Sequence, residues 1–214
     1  MKNLRRMCIR LRLLNKIIRC KEYGIIQNME KIRLISNPEN IKHYLEAGNQ
    51  TVLTASILER SSLIEGNVEE KVSKIFEFLR TLKQSKFNKD VFRKRTASQI
   101  MEDGEATGCT DNALVFIALA RACNIPAKYV EALSKDWLQK GGNLILGHVY
   151  ASIFYENAWH LIDPTKRSAD VDIEKENMVI MCEGSDSWDI GANNFDTLAS
   201  MSKSFRNQYL TRKQ

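Results

Sequence analysis

The sequence predicts an α+β domain, a helical first half followed by an antiparallel sheet. Between Ser36 and Pro126 the chain is punctuated by helix caps and by apolar residues at steps of three and four. After Pro126 the apolar residues alternate with polar ones instead. No Pro-, Gly- or Ser-rich linker separates the two textures, and 214 residues suffice for one sizeable core.

Pro38, following Asn37, opens a first helix over Glu39 to Ala47, with Ile41, Tyr44 and Leu45 on one side and Gly48 closing it. A second helix runs from Val52 to Leu63. Gly66-Asn67 then stops one helix and starts another: Asn67 and Glu70 are spaced as a capping pair, and Val72, Ile75, Phe76, Leu79 and Leu82 form an apolar stripe. Thr96 to Gln99 caps a short helix that Gly104 ends, and the loop Glu105 to Gly108 leads to Cys109. From Cys109 to Cys123 only Asp111, Asn112 and Arg121 interrupt small and apolar residues, so this is a buried helix with a thiol at its N-terminal end. Unpaired backbone N–H groups and the helix dipole there favour thiolate over thiol.

Ala127 to Leu133 alternates as a strand, and Gly141-Gly142 marks a loop. His148 to Tyr155 and Ala158 to Asp163 read as two strands joined at Glu156-Asn157. Met178 to Cys182 is a further strand, and Gly184 to Gly191 is a polar loop whose Trp188 anchors in the core. Asp196 to Thr211 is a closing helix with Leu198, Met201, Phe205 and Tyr209 on one side.

The net charge of +6 is localised. Residues 1–28 hold eight of the 32 Lys and Arg and one of the 26 acidic residues, leaving 24 basic against 25 acidic residues in the rest of the chain. Nucleic-acid binding by the main domain, 29–214, therefore has no support from charge. Within 1–28, Leu4, Met7, Leu11, Leu14 and Ile18 make one stripe of a basic amphipathic helix that suits a membrane surface, an acidic partner or RNA. The alternative is that Met29 is the initiator and these residues are not translated. Five cysteines without CxxC or HxxH spacing give neither a disulfide framework nor a zinc site. With no apolar run of about 18 residues, the chain reads as cytoplasmic and reduced.

The hairpin allows a geometric reading. A tight turn centred on Glu156-Asn157 sets Tyr155 opposite Ala158 and Tyr150 opposite Asp163, which puts His148 on the same sheet face, one diagonal step from the aspartate. His160 points to the other face in that register. Pro164 ends the strand and leaves Asp163 at a sheet end.

Thr107-Gly108-Cys109-Thr110-Asp111, then Ala120 to Val130, then Gly147-His148-Val149, then Trp159 to Thr165, together resemble the transglutaminase-like superfamily of papain-like cysteine enzymes. The resemblance covers roughly Leu53 to Thr165. It implies a papain-like fold, with Cys109 matching the nucleophile, His148 the base and Asp163 the residue that orients the histidine. Two details depart from the common pattern. Gly108 directly precedes the cysteine, where many members place a glycine two residues before it, and Asn124-Ile-Pro-Ala-Lys128 replaces Gly-Ile-Pro-Ala-Arg. Asn takes a left-handed turn nearly as well as Gly. The implied chemistry is acyl transfer from an amide of a peptide or protein substrate through a thioester, to water or to an amine, with no metal or cofactor. The alternative is a non-catalytic module that keeps the fold and binds a peptide or partner in its cleft.

Overall fold

The computed structural model describes residues 38–211. The basic helix expected over 1–28 lies outside them. The chain divides between Ile41 and Lys42, and the sheet, the cleft and every helix after the first belong to the unit from Lys42 onward.

Helix α1 (Pro38–His43) is shorter than its apolar spacing suggested. Bonds from Leu45 N–H to Lys42 O and from Glu46 N–H to His43 O tighten the chain into three-residue turns. Helix α2 (Ala55–Ser62) starts three residues after Val52, because the Thr54 side chain caps it by accepting from Ile57 N–H. Helix α3 (Val68–Thr81) carries the expected capping box of Asn67 and Glu70 and buries Val72, Ile75, Phe76 and Leu79. Strand β1 (Lys83–Gln84), helix α4 (Ala97–Asp103) and strand β2 (Glu105–Ala106) come next. The stretch expected to be loop before Cys109 thus contains a two-residue strand, paired parallel to β1. Its bonds are to backbone, Lys83 N–H to Gly104 O and Ser85 N–H to Ala106 O, so no side-chain pattern announces it.

Helix α5 (Cys109–Ala122) is buried at every position from Thr110 to Arg121. Asn124 closes it at φ 62°, and Ile125 N–H reaches back to the Ala120 carbonyl at 2.9 Å. Strand β3 (Ala127–Ser134), helix α6 (Lys135–Lys140), strands β4 (Gly147–Tyr155), β5 (Ala158–Ile162) and β6 (Met178–Gly184), and helix α7 (Phe195–Thr211) complete the order. The antiparallel sheet runs β5-β4-β3-β6. This is the α+β, papain-like arrangement anticipated, with the helices and one sheet face enclosing α5 in the main core. Val130, Ala132, Tyr150 and Met178 form a smaller cluster. Among the described residues no helix is long and apolar enough to cross a membrane.

The hairpin register is the one its turn predicts, with Tyr155 opposite Ala158 and Ala151 opposite Ile162. Glu156 and Asn157 both have positive φ, 49° and 62°, as a two-residue turn of the twist-matched kind requires. The loop after β6 differs from expectation. Its polar residues Ser185, Asp186 and Ser187 are buried, because Asp186 accepts from the N–H groups of Gln50, Trp188 and Asp189 and Ser187 donates to Gln50.

Arg121 ties the two layers. Its guanidinium donates to the carbonyls of Tyr44, Ala127 and Ser185 and to the Thr51 hydroxyl, at 2.7 to 3.0 Å. Burial pulls its pKa down to about 10 against the charge of Asp186, so it stays a cation at neutral pH. Substituting Arg121→Met strips this donor from the buried Ala127 and Ser185 carbonyls, at roughly 1–3 kcal/mol for each one left dry, while the Tyr44 carbonyl and Thr51 hydroxyl keep the N–H groups of Ala127 and Gly48. We expect a loss of at least ~3 kcal/mol in urea unfolding, with Arg121→Lys recovering little of it because an ammonium cannot reproduce the fork. A loss under ~1 kcal/mol contradicts this role.

Candidate active site

Cys109 is the first residue of α5, and no side chain caps that helix end. The approach to it is fixed from the helix's own first turn. Asp111 Oδ2 accepts from Thr107 N–H at 2.9 Å and from Thr107 Oγ1 at 2.8 Å, and pairs with Arg95 Nη2 at 2.5 Å. Asn112 Nδ2 donates to Gly108 O at 2.9 Å and to Gln84 Oε1 at 3.0 Å. Two of the three polar residues that interrupt the apolar helix therefore hold the loop that presents the sulfur.

His148 is the second residue of β4. Gly147 before it sits at a close approach that disfavours a side chain: a Cβ there would lie 3.0 Å from the Ala132 carbonyl on β3. The His148 Nε2 atom is 2.9 Å from Asp163 Oδ2, and Tyr150 packs edge-on against the ring at 4.7 Å between centroids. Asp163 lies just past β5, its side chain 1% exposed against 21% for His148. Its other oxygen, Oδ1, accepts from the N–H groups of Thr165 and Lys166 at 2.9 and 3.0 Å. Pro164 makes that turn, so the strand end noted in the sequence supplies two donors that it did not disclose.

Cys109 and His148 line one cleft of about 270 Å³. With Nε2 engaged by Asp163, Nδ1 is the ring nitrogen left for the cleft that Cys109 shares. All three residues singled out in the sequence are thus brought together. His160 is not among them: it stacks on Tyr155 and pairs with Asp170 at 2.7 Å, a carboxylate 64% exposed.

Behind the cleft lies an ion pair that no sequence signal indicated. Arg93 Nη2 sits 2.6 Å from Glu131 Oε2, both side chains almost fully buried, and Tyr129 OH donates to the same oxygen at 3.1 Å. Arg93 has φ 59°, and the Trp188 indole N–H, bonded to its carbonyl at 2.6 Å, helps hold it there. Trp188 is half-buried and serves this loop. A β-bulge between Glu131 and Ala132 in the β3–β6 pairing falls at the same place. Among the described residues no cluster of three or more His, Cys, Asp or Glu side chains could hold a metal ion.

A sequence profile described as the transglutaminase-like superfamily matches residues 57–164, half of the chain. The chain belongs to the transglutaminase-like superfamily. Cys109, His148 and Asp163 all lie within the matched span. Among solved structures, the chain is similar to a protein of Cytophaga hutchinsonii provisionally named a cysteine protease, with a TM-score of 0.56 at 19% identity, covering 72% of this chain and 50% of that one. A second structure, named as a TGase, has a TM-score of 0.37 at 16% identity, covering 72% and 42%. The chain thus spans about half the length of the first of these. No curated protein matches it.

The electrostatics around His148 favour a charged imidazole. Burial acts to lower the His148 pKa, but hydrogen bonds to Asp163 and Cys109 and the charges of both outweigh it, raising the value from 6.5 to about 9. Burial likewise pushes the Asp163 carboxyl up, and the bonds from His148, Lys166 and Thr165 more than offset it, holding the carboxyl below its ordinary range. Because the folded-state pKa of His148 is raised, its contribution to stability is complete below pH 6.5 and fades as pH rises through about 9. In an NMR titration the His148 ring is expected to change charge near pH 9. Asp163→Asn moves that midpoint down, and an unchanged midpoint contradicts the pairing.

Proposed function

We propose that the domain is a cysteine-dependent acyl-transfer enzyme acting on amide bonds of a peptide or protein. The observation that carries this reading is that His148, pinned by a buried carboxylate, opens into the same cleft as a cysteine at a helix N-terminus. His148 takes the proton of Cys109, and the thiolate attacks the amide carbonyl. The carbonyl oxygen becomes an oxyanion facing the first turn of α5, where the Cys109 N–H and the helix dipole stabilise it. As the intermediate collapses, the C–N bond breaks and the imidazolium gives its proton to the departing amine. Water or a second amine then attacks the thioester with His148 as base, which restores the thiol. Asp163 keeps the ring oriented with its proton on Nε2 and stabilises its cation. Membership of the superfamily supports the reading at the level of class, and the likeness to the C. hutchinsonii protein supports the fold alone.

The consequences are measurable. Cys109→Ala and His148→Ala each reduce turnover, read as new amino termini or incorporated primary amine, by on the order of 10⁴–10⁶-fold. Asp163→Asn costs less, on the order of 10²–10⁴-fold, because nucleophile and base remain. His160→Ala stays within a few-fold of the parent, and a fully active His148→Ala protein refutes the assignment. The basic limb of the pH–rate profile falls as pH rises through about 9, where the imidazolium that protonates the leaving amine is lost. Release of acid alone identifies a hydrolase, and capture of added amine a transamidating enzyme.

A further inference from the structure

The walls of the cleft bear on the kind of substrate it admits. Phe87 and Leu144 line it and are 58% and 70% exposed, large apolar side chains left in water at its mouth. Deeper in, Phe92 bridges Phe87 and Phe195, with ring centroids 5.2 and 6.4 Å apart, making an aromatic run along one side. The cleft also touches Arg93, Glu131 and His148, but Arg93 and Glu131 neutralise one another at 2.6 Å and His148 is paired with Asp163 at 2.9 Å. A charged substrate group entering here would lose its water without finding a free counter-charge among them, an uncompensated desolvation. An apolar group would instead cover wet hydrophobic surface, a favourable transfer. The volume fits as well. An apolar cavity of about 150 Å³ is enough to bind benzene, and this cleft offers about 270 Å³.

We propose that this cleft selects an acyl donor bearing a large uncharged apolar side chain, aromatic or branched, next to the carbonyl that Cys109 attacks. Phe87 and Leu144 are its specificity-determining residues. The inference rests on the acyl-transfer reading, since it takes Cys109 as the point of attachment, and goes further by naming the substrate class.

The test uses N-acetyl amino-acid chloromethyl ketones carrying Phe, Leu, Gly, Lys or Asp side chains. In each the Cys109 sulfur displaces chloride, and the labelled residue is identified by peptide mass mapping of the full chain. Iodoacetamide, which has no side chain to recognise, provides a reference rate for every variant. The expected result is that the Phe and Leu reagents label Cys109 on the order of 10–200-fold faster than Gly, Lys or Asp reagents, relative to iodoacetamide. Leu144→Asp and Phe87→Ser, at exposed positions that tolerate polar residues, each reduce that ratio by about tenfold. Equal ratios across the five reagents, or a preference for Lys or Asp, overturn the proposal while leaving Cys109 as nucleophile. An apolar preference untouched by both substitutions overturns the assignment to this wall. If iodoacetamide itself fails to label Cys109 ahead of Cys123 and Cys182, the acyl-transfer reading fails, and the specificity with it.

Discussion

Burying α5 on every side imposes two demands that the remaining structure meets. Its apolar residues need cover all round, which α2, α3 and α4 and the sheet provide. Each of Leu114, Phe116, Ile117 and Leu119 is fully buried, worth about 1.5–3 kcal/mol apiece. Its charged and amide side chains must be paired, since a dry unpaired group costs roughly 1–3 kcal/mol. Asp111 and Asn112 are paired with the loop before the helix, and Arg121 with the layers around its far end. Thus the groups that make burial tolerable also fix where Cys109 sits. The helix end that cannot be buried is the one that reaches the cleft.

The two histidine–carboxylate pairs show why distance alone does not mark a site. His160–Asp170 is shorter than His148–Asp163, at 2.7 against 2.9 Å. Asp170 is largely in water, where salt and solvent screen the pair and its worth is small. Asp163 is sealed and its second oxygen is held by two backbone N–H groups, so its charge has few outlets besides the imidazole. Tyr150, packed edge-on against His148, limits the ring's freedom from the side. Burial and orientation make one pair able to hold an imidazolium.

How much of this is legible in the sequence depends on how local the cause is. The α3 capping box and the Glu156-Asn157 turn are set by residues adjacent in the chain, and both form as their spacing predicts. The turn fixes the strand register, and the register sets His148 beside Asp163. The β1–β2 pair and the buried loop after β6 depend on partners many residues away. Gln50 reaches Asp186 across 136 positions, and no spacing rule encodes that. Helix α6 leaves no sequence signal because six residues between a strand and a Gly-Gly loop carry too little periodicity, although Trp137 and Leu138 are buried by packing against the sheet and α7. Arg93 and Glu131 lie 38 residues apart and pair only because the loop bearing Arg93 folds over β3. The donors to Asp163 are backbone N–H groups, which every sequence has.

That Cys109, activated by His148, carries the acyl group covalently is tested most directly with an activated N-acetyl-phenylalanine ester. The protein is mixed with excess ester and quenched in acid, and the intact mass and the modified peptide are measured. The expected result is a single added acyl group on the peptide containing Cys109, lost on hydroxylamine treatment, and absent from Cys109→Ala and His148→Ala. An acyl group on another residue, or an adduct that forms equally well without His148, contradicts covalent transfer through Cys109.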